Sequence, residues 1–177
     1  MIAGPSEVTI VCDKFSNPEW VASDLIGQAE HDNLAQCILI SKDKSIITKV
    51  NEEINRQLKN LPRTKIAKSS LTNNGILIHM SSDQKIIDVV NKIAPEHLEL
   101  NIKNYKNMVG KIKNSGSICL GKYAVMAMTD YGVPGSNHVL PTNTSSRYSS
   151  GLSVGEFIKK ISYINLSKKG IETLGSS

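Results

Sequence analysis

The sequence predicts an α/β fold: a Rossmann-like, doubly wound, mostly parallel sheet with helices on both faces. Three observations carry this. Short β-branched runs alternate with amphipathic helical stretches along most of the chain, and repeated βα units of that length build parallel sheets. Two of the helical stretches start with recognisable cap residues. At 177 residues, the chain is long enough to bury one real core.

Each element has its own reason. "EVTIVC" (7–12) packs β-branched residues at Val8, Thr9, Ile10 and Val11 and reads as a buried strand. "NPEWVASDLIGQAEH" (17–31) opens with Asn17 as N-cap and Pro18 at the first helical position. Trp20, Val21, Ala22, Leu25 and Ala29 follow helical spacing there. "AQCILI" (35–40) is a second strand and "SIITKVNEEINRQLKN" (45–60) a long amphipathic helix. A shorter helix near 64–71 precedes the strand "GILIHM" (75–80). "SSDQKIIDVVNKIA" (81–94) is a capped helix with Ile86, Ile87, Val90 and Ile93 on one face. The strand "HLELNI", a helix near 104–113 and the strand "SICLG" (117–121) complete the pattern. Beyond Gly121 the chain becomes rich in Gly, Pro, Ser, Thr and Asn, a composition of functional loops or linkers. It ends in a predicted helix, strand and helix start within "GEFIKKISYINLSKKGIETLG". The expected organisation is a Rossmann-like portion over 1–150 and the start of a C-terminal helical arm over 151–177.

Composition narrows the function. Forty per cent apolar and 21% charged residues describe a folded globular chain. Apolar runs such as "CILI" are too short to cross a bilayer, so a cytoplasmic protein without a membrane partner is expected. The net charge of +5 is spread along the chain, with only three arginines and few aromatics. Nucleic-acid surfaces cluster their charge and interleave stacking rings, so none is expected here. Cys12, Cys37 and Cys119 sit inside apolar runs without Cys-x-x-Cys spacing, as buried reduced thiols do. No dinucleotide glycine fingerprint, P-loop or nucleophile elbow occurs.

Several polar groups stand out. Gln28 and His31, three apart, are expected on one helix face. Their spacing reads either as a polar pair at a helix end or as part of a metal site, and Gln is an uncommon zinc ligand. Glu96 and His97 follow Pro95, which stops the helix. Adjacent residues in an extended segment diverge, so the two need not touch. They form either a salt-bridged turn or a carboxylate and general base serving different steps. Asp130 and His138 bracket "DYGVPGSNH", a turn that lines a polar pocket or simply holds a loop together. Ser6 and Glu7 precede the first strand, at the end usually opposite to ligand sites. His79 ends a strand and reads as structural or exposed.

In order along the chain, "AGPSEV", "QAEHD", "IAPEHLEL", "TDYG…NHVLPT" and "SRYSSGLSV" closely resemble the histidinol dehydrogenase family, from Ala3 to Gly175. The resemblance implies a homodimeric, zinc-dependent enzyme that oxidises L-histidinol through L-histidinal to L-histidine with NAD+, closing histidine biosynthesis. It further implies Gln28, His31 and Asp130 as zinc ligands, and Glu96 and His97 as the catalytic pair. Ser6 and His138 would be substrate contacts, as would His97 and the zinc ligands. Family members are much longer. The amino-terminal half that carries most NAD+ contacts, and the C-terminal tail whose histidine completes a partner's zinc site, would lie outside this chain. The chain alone is therefore expected to be inactive, working only with an amino-terminal half that is separately encoded or lost. The alternative is a non-catalytic remnant, a zinc- or imidazole-binding α/β module. Where the family usually has "GPNHVLPT", this chain has "VPGSNHVLPT", one residue longer between Asp130 and His138.

Overall fold

The computed structural model describes residues 4–129, 131 and 138–175. Five strands form one parallel sheet: β1 (Glu7–Cys12), β2 (Gln36–Ser41), β3 (Gly75–His79), β4 (His97–Asn101) and β5 (Ser117–Leu120). Their spatial order is β3-β2-β1-β4-β5, so the chain leaves β1 first to one side and later to the other. The expected doubly wound fold is present.

Helices cover both faces. α1 (Pro18–Ala29), α2 (Lys44–Gln57) and α3 (Thr64–Asn74) lie on one side, around Val8, Ile10, Leu25, Leu39, Val50 and Ala67. α4 (Asp83–Ile93) and the single turn α5 (Lys106–Val109) lie on the other, where Ile86, Ile87, Val90 and Met108 meet Val11, Ile40, Leu98 and Leu100. Each fully buried Leu or Ile contributes on the order of 2 kcal/mol by leaving water. Asn17, Asp43 and Ser82 cap α1, α2 and α4 by accepting backbone N–H groups two or three residues on.

Some expectations need correction. Trp20 lies off the buried stripe of α1 and is 42% exposed, its ring tilted against Tyr123. The helix expected near 104–113 is one turn only, because Asn104 and Gly110 flank it with turn conformations. No strand forms over 158–166. That segment follows a 3-10 turn (Val154–Phe157) and precedes the helix α6 (Lys168–Leu174), and its apolar side chains find no sheet edge to pair with. Among the described residues, no helix is long and apolar enough to cross a membrane.

The corner between α4 and β4 positions the chemistry. α4 ends at Ala94, which adopts the left-handed conformation (φ 53°); this costs a non-glycine residue on the order of 1 kcal/mol. Hydrogen bonds hold it there. Ala94 N–H donates to Val90 O (2.8 Å), and Ser146 Oγ donates to Ala94 O (2.8 Å). Gly116 N–H and Ser117 N–H donate to Pro95 O and Glu96 O, both at 2.9 Å. A Cβ on Gly116 would stand 2.6 Å from Glu96 O, so only glycine lets the chain enter β5 this closely.

Candidate functional site at the amino edge of the sheet

Sheets of this class usually bind ligands beyond the carboxyl ends of their strands. A cavity of about 500 Å³ does lie there, lined by Asp13, Phe15, Asn101, Lys103, Tyr105 and Tyr123 among others. None of the residues singled out in the sequence borders it. Ser6, Glu7, Gln28, Glu96 and His97 lie at the opposite, amino edge, where β1 and β4 begin and α1 ends. The parallel register makes this unavoidable: Val8 pairs with His97, and His97 with Ser117. Ser6 and Glu7 therefore stand beside the Glu96–His97 corner, correcting the expectation that they lie away from the site.

Glu96 and His97 are both buried. Contrary to the expectation of divergence, His97 Nε2 comes within 3.8 Å of Glu96 Oε1. The divergence rule applies within a strand, and β4 starts only at His97; Glu96 still belongs to the corner. His97 Nδ1 lies 3.0 Å from Ser117 Oγ. Glu96 Oε2 accepts the backbone N–H of Glu7 at 2.9 Å. In return the Glu7 carboxylate accepts the backbone N–H groups of Glu96 and of Asn143, the latter at 2.9 Å. Burial nevertheless pushes Glu7 above the usual carboxylate range.

α1 brings Gln28 to the same edge. Its side chain is 1% exposed, and neither amide atom has a hydrogen-bond partner among the described residues. An unpaired buried amide costs about 1–3 kcal/mol. Its oxygen therefore suits a cation supplied from outside the chain, and the residue fits a zinc ligand on that ground. His31 does not share its surroundings. α1 stops at Ala29 with Glu30 as C-cap, and His31 is exposed in the following turn, its N–H donating to Gln28 O at 3.2 Å. Among the described residues, no three His, Cys, Asp or Glu side chains group as a metal site. Asp130 lies outside the described residues, as does most of the "DYGVPGSNH" turn. His138 is exposed. His79 is exposed as expected, with Nε2 3.1 Å from Lys42 O. The three cysteines are buried and free, and burial pushes each thiol up to about 12.

Sequence reasoning missed three participants. Ser117 is one of many serines and carries no signal before its register with His97 is known. Glu7 was noticed, but not as the clamp on Glu96. Glu99 did carry a signal: a charge at an inward position of the alternating "HLEL". It is 1% exposed, lies against the Asp24 carboxyl, and accepts Met126 N–H at 2.9 Å.

Fold and edge together define a doubly wound α/β domain with a buried carboxylate, imidazole and amide converging where its strands begin. The family model for histidinol dehydrogenase matches residues 1–177. The histidinol dehydrogenase of Pelagibacter ubique (strain HTCC1062) is 84% identical over 177 residues, all of this chain and 41% of its own length. That of Listeria monocytogenes serovar 1/2a is 46% identical over 97% of this chain and 40% of its own. The crystal structure of histidinol dehydrogenase from Elizabethkingia anophelis superposes with a TM-score of 0.86 at 43% identity, covering 99% of this chain and 40% of that one. The chain belongs to the histidinol dehydrogenase family, and it spans about two fifths of the length of these relatives.

Proposed function

We propose that this chain is the zinc- and acid–base-bearing portion of a histidinol dehydrogenase, oxidising L-histidinol via L-histidinal to L-histidine in the cytoplasm. One observation carries the reading: Glu96, His97 and the unpaired amide of Gln28 converge on one edge of a chain that matches the family throughout. Residues 1–150 form the catalytic portion. Gln28, His31 and Asp130 hold zinc, with Ser6 and His138 contacting substrate. Zinc held there would supply a positively charged anchor for the substrate, and NAD+ held by the rest of the enzyme would supply the oxidant for both oxidations.

The chain's own residues move protons. His97, anchored through Nδ1 to Ser117 Oγ, takes the hydroxyl proton as the carbinol C–H leaves as hydride. Glu96, oriented by the Glu7 N–H, takes a proton from water while the oxygen attacks the aldehyde carbon. The carbonyl oxygen takes the proton that His97 holds from the first oxidation, which gives the hydrate and frees the imidazole; the hydrate then loses a second hydride to the oxidant while His97 accepts its hydroxyl proton. Most dinucleotide contacts come from an amino-terminal half. Residues 151–177 begin an arm that packs on a second subunit; Phe157, Tyr163 and Ile164 there are 79%, 91% and 84% exposed, an apolar row that calls for cover.

Complementation of a strain lacking histidinol dehydrogenase tests this directly, with and without a co-expressed amino-terminal half of a relative. Growth is expected only with both pieces, and failure of both arrangements would sink the reading. The purified chain alone should produce no NADH from histidinol.

A further inference from the structure

Beneath the amino-edge site lies a second polar layer that the proposed chemistry does not use. Glu99 follows His97 by two residues on β4, so both side chains leave the same face of the sheet. Asp24 precedes Gln28 by four on α1, so these also share a face. The Asp24 and Glu99 carboxyls lie close enough to act on each other directly. Glu99 Oε1 accepts the N–H of Met126, at the head of the 3-10 turn Met126–Thr129 that leads in sequence to Asp130. Glu99 Oε2 and Asp24 Oδ2 are both sealed from solvent and have no hydrogen-bond partner among the described residues. Two ionised carboxylates offer only acceptors, and like charges in contact cannot both persist in a buried site. One proton between them satisfies both oxygens at once.

We infer that Asp24 and Glu99 share a single proton and act as a positioning pair, tying α1, β4 and the 126–129 turn together beneath Gln28 and His97. The positioning part rests on the function proposed above; the proton sharing does not. Other titratable groups near the pair are few. Cys119 of β5 is the register neighbour of Glu99, and its thiol is pushed up by burial and by both carboxylates, so it stays neutral. Lys122 lies with Asp24 around a shallow surface opening. Burial and the mutual repulsion of the pair raise Glu99, and burial raises Asp24.

Carboxyl-carbon NMR of the whole chain tests the proton. At pH 6 the pair should hold one proton between its two carboxyls, released well above the ordinary carboxylate range; two ionised carboxylates at pH 6 overturn the inference whether or not zinc binds. Two variants test positioning. Glu99→Gln keeps an acceptor for Met126 N–H and gains an N–H donor toward Asp24, whereas Glu99→Leu keeps the bulk and loses both. The His97 ring and Gln28 amide signals should stay put in Glu99→Gln and shift in Glu99→Leu, with zinc affinity within about twofold of wild type in the first and at least tenfold weaker in the second. Equal behaviour of the two variants would overturn positioning. Should wild type bind no zinc, the metal part of the functional reading fails, while the proton and ring signals still decide this one.

Discussion

Glu7 and Glu96 clamp each other across the start of the sheet. The N–H of Glu7 donates to Glu96 Oε2 at 2.9 Å, and the Glu7 carboxylate accepts the N–H of Glu96. The same Glu7 carboxylate reaches Asn143 N–H, so one side chain joins β1, the α4–β4 corner and the 142–143 segment. Glu7→Ala should cost about 1–3 kcal/mol by orphaning two backbone donors. Glu7→Gln, which retains an acceptor oxygen, should cost less. Urea unfolding of both variants measures the difference, and equal losses would mean that the clamp contributes nothing specific.

Two glycines should respond with opposite sign. Gly116→Ala forces a Cβ to within 2.6 Å of Glu96 O, so the corner must move; destabilisation of about 1–3 kcal/mol is expected, as for other overpacked sites. Gly27→Ala, on the exposed side of α1, meets nothing within 4 Å and should stabilise by about 0.5–1 kcal/mol through better helix propensity. Melting temperatures of the two variants check the pair, and a neutral Gly116→Ala would contradict the close approach.

The contrast shows what the sequence made legible. The fold was readable because each helix stripe and each buried strand announces itself locally: Ile86, Ile87 and Val90 repeat at helical spacing, and Val8 to Val11 form an unbroken β-branched run. The edge on which the site lies was not readable. It depends on β4 pairing with β1 rather than with β3, a contact between residues 89 apart in sequence such as Glu7 and Glu96. The contact between Glu96 and His97 stayed one of two open readings for a related reason, since it turns on where β4 begins, and terminal residues are the least determined by local pattern. Motif likeness supplied what periodicity could not for Gln28, whose lack of partners only tertiary packing reveals.

Stability should fall as pH rises above the ordinary carboxylate range. Glu99 is raised in the folded chain from 4.5 to about 8, so the folded form binds more protons than the unfolded form between those values. The stabilisation from this group is fully present below its unfolded value and is lost as pH rises through about 8, with a slope of at most about 1.4 kcal/mol per pH unit for one proton. Urea midpoints between pH 5 and 9 should decline in wild type and flatten in Glu99→Gln. A flat wild-type profile would contradict the buried pair.

The thiols should be inert in the folded chain. Cys12, Cys37 and Cys119 are buried and pushed up to about 12, so the thiolate that alkylates is scarce at pH 8. Mass spectrometry after iodoacetamide should find no adduct natively and three in urea. Rapid native labelling of any one would show that its cover opens.

Gln28 offers the sharpest division between stability and function. Its buried amide has no partner among the described residues, which leaves an unsatisfied polar group in their interior. Gln28→Leu removes that penalty at similar volume and should raise metal-free stability by about 1–3 kcal/mol. Under the proposed function, the same change removes a zinc ligand, so added zinc should raise the melting temperature of wild type but not of the variant. His31→Ala should abolish the zinc effect without the metal-free gain, because His31 is exposed. Sites that bind metals keep such locally unfavourable groups because the ligand compensates them. A stabilised Gln28→Leu chain whose melting still responds to zinc as wild type does would separate the buried amide from the metal site.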